Sequence, residues 1–218
     1  MSDITKPAGD HVAAAGMKRR TILAGAAWSV PVIAVATSAP AFAATETCPN
    51  LSQPSSWTVS NNGYVDEQGY FDTIDGRKVF VSNGNNTSNS SQQAVARVYL
   101  TASMPVEAGK TYTFTWDAYG NYGNFDKATS QVQYSHLSVD GSQISDDYST
   151  RADFYGNNQL NIQQQSDDTR PWKSYSSVYK ATETKTVQVQ WEFILPYPDK
   201  QQTSSDDIYT SLPAIACS

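Results

Sequence analysis

Two stretches of this chain alternate apolar and polar residues with a period of two, and that pattern restricts them to a half-buried β-sheet. In residues 110–119, Tyr112, Phe114, Trp116 and Ala118 alternate with Thr111, Thr113, Thr115 and Asp117. In residues 184–195, Val187, Val189, Trp191, Phe193 and Leu195 alternate with Gln188, Gln190, Glu192 and Ile194. Successive side chains of a strand point to opposite faces, so each segment has one face for a core and one for solvent. Residues 93–101, with Val95, Val98, Tyr99 and Leu100, have little polar face and read as a central strand. Residues 131–139 and 142–144 flank Asp140-Gly141, a type I′ hairpin signal. The apolar phase changes between Tyr134 and Leu137, which predicts a bulge. Residues 172–180 and 207–216 complete the main set, after earlier strands at 57–60 and 78–82. The connections are polar: 82–93 is low in complexity and expected to be mobile, and 119–125 is Gly-rich with three aromatics. No segment after residue 43 sustains a 3.6-residue period, and no repeat or second domain is visible. The prediction is an all-β chain, a single antiparallel β-sandwich over residues 44–218.

Residues 1–43 read differently. Lys18-Arg19-Arg20 is followed by an uncharged apolar run that ends in Ala41-Phe42-Ala43, an A-x-A cleavage site. The core Lys18-Arg19-Arg20-Thr21-Ile22-Leu23 resembles the twin-arginine signal, and a general secretory signal is the alternative. The expectation is a bacterial precursor, cut after Ala43 and secreted. The leader removes four of the 15 basic residues and two of the 21 acidic ones, so the remainder is net −8. That charge argues against a nucleic-acid partner, whose phosphates are bound by clustered Lys and Arg. No run of about 20 apolar residues follows Ala43, so no membrane span is expected there.

Two cysteines frame the sandwich, Cys48 and Cys217. An extracellular setting permits a disulfide, and two cysteines allow one intramolecular pairing. The alternative is two free or intermolecular thiols.

The order of segments resembles the secreted jelly-roll carbohydrate-binding modules of the galactose-binding-like type. The resemblance lies in Val106-Glu107-Ala108-Gly109-Lys110-Thr111-Tyr112-Thr113-Phe114, in Trp172-Lys173-Ser174-Tyr175-Ser176-Ser177-Val178-Tyr179, and in Asp206-Asp207-Ile208-Tyr209 leading to Pro213-Ala214-Ile215-Ala216-Cys217. It implies a jelly-roll sandwich and glycan binding. It also implies a structural calcium, with Asp206 and Asp207 at the acidic-pair position and Asp66 and Glu67 approaching from the N-terminal side. The family's N-terminal Asn-Gly-(acidic)-Phe-Glu run is absent.

Sugars present flat C–H faces between hydroxyl groups, so their sites need exposed rings beside amides or carboxylates. The ring candidates are Tyr119, Tyr122 and Phe125 of the Gly-rich loop, then Trp172 and Tyr175, with Tyr134 and Tyr155 behind them. Polar candidates are Asp117, Gln133, Gln190 and Glu192. Trp116 and Trp191 are assigned to the core. Catalysis is not expected. A carboxylate pair such as Asp117 and Glu192 can be nominated for glycoside hydrolysis, but no spacing selects it. His136 is the one histidine after the leader, and no G-x-S-x-G elbow accompanies it. The expected function is a secreted, non-catalytic module that binds a cell-wall or extracellular glycan. The alternative is a structural or adhesive surface protein with a protein partner and no small ligand.

Overall fold

The computed structural model describes residues 48–152, 158–198, 202 and 204–218. The expected leader (1–43) and Tyr155 lie outside these residues. Strands follow in chain order: β1 (Thr58–Asn61), β2 (Tyr70–Ile74), β3 (Arg77–Ser82), β4 (Ala96–Val106), β5 (Thr111–Asn121), β6 (Ser130–Gln131), β7 (Tyr134–Val139), β8 (Ser142–Gln143), β9 (Tyr148–Ser149), β10 (Ile162–Gln163), β11 (Lys173–Lys180), β12 (Lys185–Leu195), β13 (Ser204–Ser205), β14 (Asp207–Ser211) and β15 (Ala214–Cys217).

They form two main sheets. One runs β1-β4-β12-β7-β8, with β9 also on β7; the other runs β10-β5-β14-β3-β2, with β11 and β15 also on β5. The long pairings are antiparallel, and the short β10–β5 and β13–β6 pairs are parallel. The chain is an antiparallel β-sandwich.

The period-two pattern builds the core. From the first sheet Val98, Leu100, Val189, Trp191, Phe193 and Leu137 point inward; Tyr112, Phe114, Trp116, Phe80 and Ile208 meet them from the second. Trp191 crosses Trp116 edge-on at 5.3 Å and Phe193 meets Phe80 at 5.2 Å, so aromatic pairs join the two sheets. Trp116 and Trp191 are core residues, as their strand phase requires.

Turn chemistry sets the hairpins. Asp140 (φ 53°) and Gly141 (φ 76°) close β7–β8, and Asp75 (φ 51°) and Gly76 (φ 78°) close β2–β3. Both are Asp-Gly pairs in the left-handed region that I′ turns demand. The second was not read from the sequence, and β2 was missed with it. The β7 pairing with β12 is continuous from Val139 to Tyr134, and the irregularity expected near Leu137 lies on the facing edge, where the N–H groups of Ile144 and Ser145 both donate to the Leu137 carbonyl and the register shifts by two residues between β8 and β9. Ser135 takes the inward position and Tyr134 faces outward. The 207–216 segment divides at Leu212-Pro213, because proline offers no N–H to the ladder. Loop 82–93 is anchored, against expectation: Asn86 is buried and its Nδ2 donates to the carbonyls of Ala94, Leu195 and Pro196 at 2.8–3.1 Å. A low-complexity composition does not preclude such a pin when one buried amide matches several carbonyls.

Cys48 and Cys217 are bonded, with Cα atoms 5.6 Å apart. The bridge joins the start of the described chain to β15, which lies beside Tyr112 of β5.

Candidate functional site

The outer face of the second sheet carries a row of rings. In register across β5, β14, β3 and β2 stand Tyr119, Tyr209, Val81 and Tyr70. All four share one side because residues directly opposite in a ladder do. Trp172, just before β11, meets Tyr119 edge-to-face at 4.6 Å, and Tyr119 stacks on Tyr209 at 4.5 Å. Trp172 and Tyr209 also pack on Ile74, Val79 and Val81, a small cluster outside the main core. Tyr119 is only 1% exposed, whereas Trp172 and Tyr209 are half-buried and Tyr70 is 48% exposed. Burial pushes the Tyr119 hydroxyl up to about 12, and it raises Tyr209 and Tyr70 as well. These phenols stay neutral at any physiological pH.

Polar groups border the row on both sides. At one side Asp117 accepts from Arg77 Nε at 2.8 Å and from the Ser174 hydroxyl at 2.6 Å. Burial opposes the charge of Asp117, but Ser174 and Arg77 outweigh it and hold the carboxyl below its usual range. The Arg77 guanidinium lies 5.0 Å from the centre of the Trp172 ring. Trp172 Nε1 donates to Asp75 Oδ2 at 2.8 Å, and Arg170 pairs with Asp75 Oδ1 at 3.1 Å. The I′ turn thus fixes the indole through Asp75. A shallow depression of about 560 Å³ continues this side past Thr115, Asp117, Ser174, Ser176, Ser211 and Ala214.

At the other side Asn121 stands opposite Asp207, and Asn121 Nδ2 donates to the Tyr209 hydroxyl at 3.3 Å. Burial, with Asp206 and Glu67 adding, pushes Asp207 up to about 6. Its charge therefore opposes folding above that pH, and the penalty disappears below the unfolded carboxylate range near 4. Asp207→Asn is expected to raise the melting temperature at pH 7.5 and leave it unchanged at pH 4. An equal gain at both values would show that Asp207 does not titrate as stated.

The sequence candidates fall into separate places. Tyr119, Trp172 and Asp117 come together on this face. Tyr122 and Phe125 lie past its Asn121 side. Tyr175 points between the sheets, stacked on Trp116 at 5.9 Å and on Tyr148 at 5.1 Å. Gln133 is fully buried. Gln190 faces outward from the first sheet, as do Glu192 and Tyr134. Tyr70, Tyr209, Arg77 and Asp75 were missed. The Asp75-Gly76 turn signal would have found three of them, and the alternation of Ile208, Tyr209 and Thr210 the fourth.

The first sheet's outer face holds a different cluster. His136 Nδ1 contacts Asp147 Oδ1 at 2.8 Å, its Nε2 faces Glu192 Oε2 at 3.4 Å, and Glu192 also pairs with Arg97. Burial works against the imidazolium, but Glu192 and Asp147 together raise its pKa. Both ring nitrogens thus face carboxylates. Asp117 and Glu192 occupy opposite outer faces of the sandwich and cannot flank one glycosidic bond.

The residues proposed for calcium do not fit it. Asp206 is 0% exposed and turned inward, accepting from Thr150 Oγ1 at 2.5 Å with Arg151 Nε at 3.8 Å. Asp207 faces the other way. Asp66 accepts from the Asn85 N–H and amide at 2.6 and 2.9 Å, and Glu67 accepts from Asn83 at 2.9 Å. Hydrogen-bond donors, the Thr150 hydroxyl and the Asn83 and Asn85 nitrogens, already engage the oxygens that calcium would need. Among the described residues no three His, Cys, Asp or Glu side chains form a metal-binding group, and no helix is long and apolar enough to cross a membrane.

No family model matches the chain, and no curated protein matches it. Solved structures share parts of its shape. The enzymatically active domain of the bacteriophage CBA120 tailspike protein 4 matches 77% of this chain at 11% identity and TM-score 0.40, and the match spans 20% of that domain. TmCBM61, solved with β-1,4-galactotriose, matches 77% of this chain and 99% of its own length at 12% identity and TM-score 0.36. A CBM4 structure matches 74% of this chain and 86% of its own at 13% identity and TM-score 0.38.

Proposed function

We propose that this chain is a secreted, non-catalytic module that binds a neutral glycan on the outer face of the seven-stranded sheet. The observation that carries the reading is the row formed by Trp172, Tyr119, Tyr209 and Tyr70, with Asp117–Ser174 on one side and Asn121–Asp207 on the other. Partly exposed rings supply apolar area for the C–H faces of a sugar, and the bordering carboxylates and amides match its hydroxyls. Trp172 is held by Asp75, so little side-chain entropy is lost when a ligand arrives.

The charges select against acidic glycans. Arg77 and Arg170 are already paired with Asp117 and Asp75. Asp207, Asp72 and Glu67 stand nearby and repel a uronate or phosphate. The disulfide agrees with an oxidising, extracellular setting. No covalent step is invoked.

Trp172→Ala is expected to weaken binding about thirtyfold, the ~2 kcal/mol typical of a truncated hot-spot ring. Titration of neutral polysaccharides by calorimetry, with circular dichroism to verify folding, reads this directly. Unchanged affinity in a folded variant removes the face from the site. The structural or adhesive reading draws on the opposite face, where Thr58, Ser60, Thr101, Ser103, Gln188 and Gln190 present polar groups. Binding of an extracellular protein that survives Trp172→Ala favours that alternative.

A further inference from the structure

Beyond the Asn121 side of the ring row, the chain turns through Tyr122-Gly123-Asn124-Phe125. Asn124 (φ 52°) and Phe125 (φ 57°) are consecutive non-glycine residues in the left-handed region. Such a conformation costs about 1–3 kcal/mol per residue and persists only where the surroundings impose it. Here they do. The Gly123 N–H lies 3.4 Å from buried Asp206 Oδ1, Asn124 Nδ2 donates to Ser204 Oγ at 3.2 Å, and the Phe125 N–H donates to the Tyr122 carbonyl at 2.6 Å. A side-chain carbon at Gly123 would collide with Ser204 and the Ser205 carbonyl, so the turn sits hard against β13.

The result of this constraint is a phenylalanine 43% exposed to solvent. Core packing does not account for it, and local propensity opposes it. Phe125 borders a depression of about 300 Å³ shared with Asn83, Asn85, Asn121, Ser204 and Asp207. This depression is continuous with the ring row. Asn121 and Asp207 belong to both, and each lies two residues along its strand from Tyr119 or Tyr209, about 7 Å. From Asp117 to Asn121 the face extends about 13 Å along β5, further than one sugar ring reaches.

We propose that Phe125 and the amides around it form a second subsite of the same face, so that the site takes a chain of several neutral sugars. The inference rests on the glycan reading above. Phe125 supplies a rigid ring for one sugar while Trp172 and Tyr209 hold others. Asn121 and Asp207 lie between them.

The test uses the purified chain with neutral oligomers of glucose, xylose, mannose and N-acetylglucosamine, each as dimer and hexamer. In a series that binds, the hexamer should bind at least about tenfold tighter than the dimer. Phe125→Ala should remove that advantage and leave the dimer's affinity unchanged; Phe125→Tyr should preserve it. A Phe125→Ala variant that keeps full hexamer affinity, or loses dimer and hexamer equally, overturns the second subsite. If that variant keeps hexamer binding while Trp172→Ala abolishes it, the subsite fails and the glycan reading stands. Absence of binding in every series overturns both.

Discussion

Replacing Cys48 and Cys217 with serine is expected to destabilise the sandwich by about 5 kcal/mol, the largest single effect in this chain. The bridge spans a sequence separation of 169 residues, and the chain-entropy account scales with the logarithm of that loop. For a domain of this size the corresponding fall in melting temperature is about 10–20 °C. Thermal melts with and without a reductant, checked against the double serine variant, measure it. Cys48 precedes β1 and has no strand of its own, so the bond fixes it to β15, while Leu51 and Trp57 further along are held by the core. Equal melting temperatures for the bonded and serine proteins would show that the denatured chain is already constrained in some other way.

Trp191→Ala is the second large effect. Trp191 is 0% exposed and is the point where both sheets meet: Trp57 approaches it at 6.1 Å and Trp116 at 5.3 Å. Truncating a buried tryptophan costs about 3–5 kcal/mol through lost transfer energy and the cavity left behind. Its Nε1 also donates to the Tyr148 hydroxyl at 2.7 Å, inside the core. Truncation withdraws that donor and adds to the loss. Chemical denaturation of Trp191→Ala and Trp191→Phe separates the two contributions, since phenylalanine restores most of the volume and none of the hydrogen bond. A loss under 1 kcal/mol for the alanine variant would mean the sheets re-pack around the gap.

The sandwich was legible because β4, β5 and β12 are long and their alternation is strict. Each runs 11 residues, enough for the period to stand clear of chance. Short strands escaped. β2 carries Tyr-Phe-Asp-Thr-Ile, in which Asp72 and Thr73 blur the phase, and only its turn to β3 was a firm signal. The site was legible by residue type and less so by position. Trp172, Tyr119 and Asp117 were named without knowledge that they share a face, because that depends on which strands flank β5. Tyr209 arrives there through β14, which lies between β5 and β3 although it is among the last strands in sequence. Local patterns do not encode that neighbour. Tyr175 shows the converse. Named as a ring candidate for the site, it stands in register opposite Trp116 and turns inward.

The position of the disulfide has a mechanical consequence. Cys217 ends β15, which among the described residues pairs with β5, and β5 also carries Tyr119 of the ring row. A force applied between Cys48 and a molecule held on that row passes through the bridge into β15 and along β5. The load shears the β15–β5 hydrogen bonds together and bypasses the short edge strand β1, which would otherwise peel one bond at a time. The bridge thus ties the Cys48 end of the described chain directly to the strand that carries Tyr119.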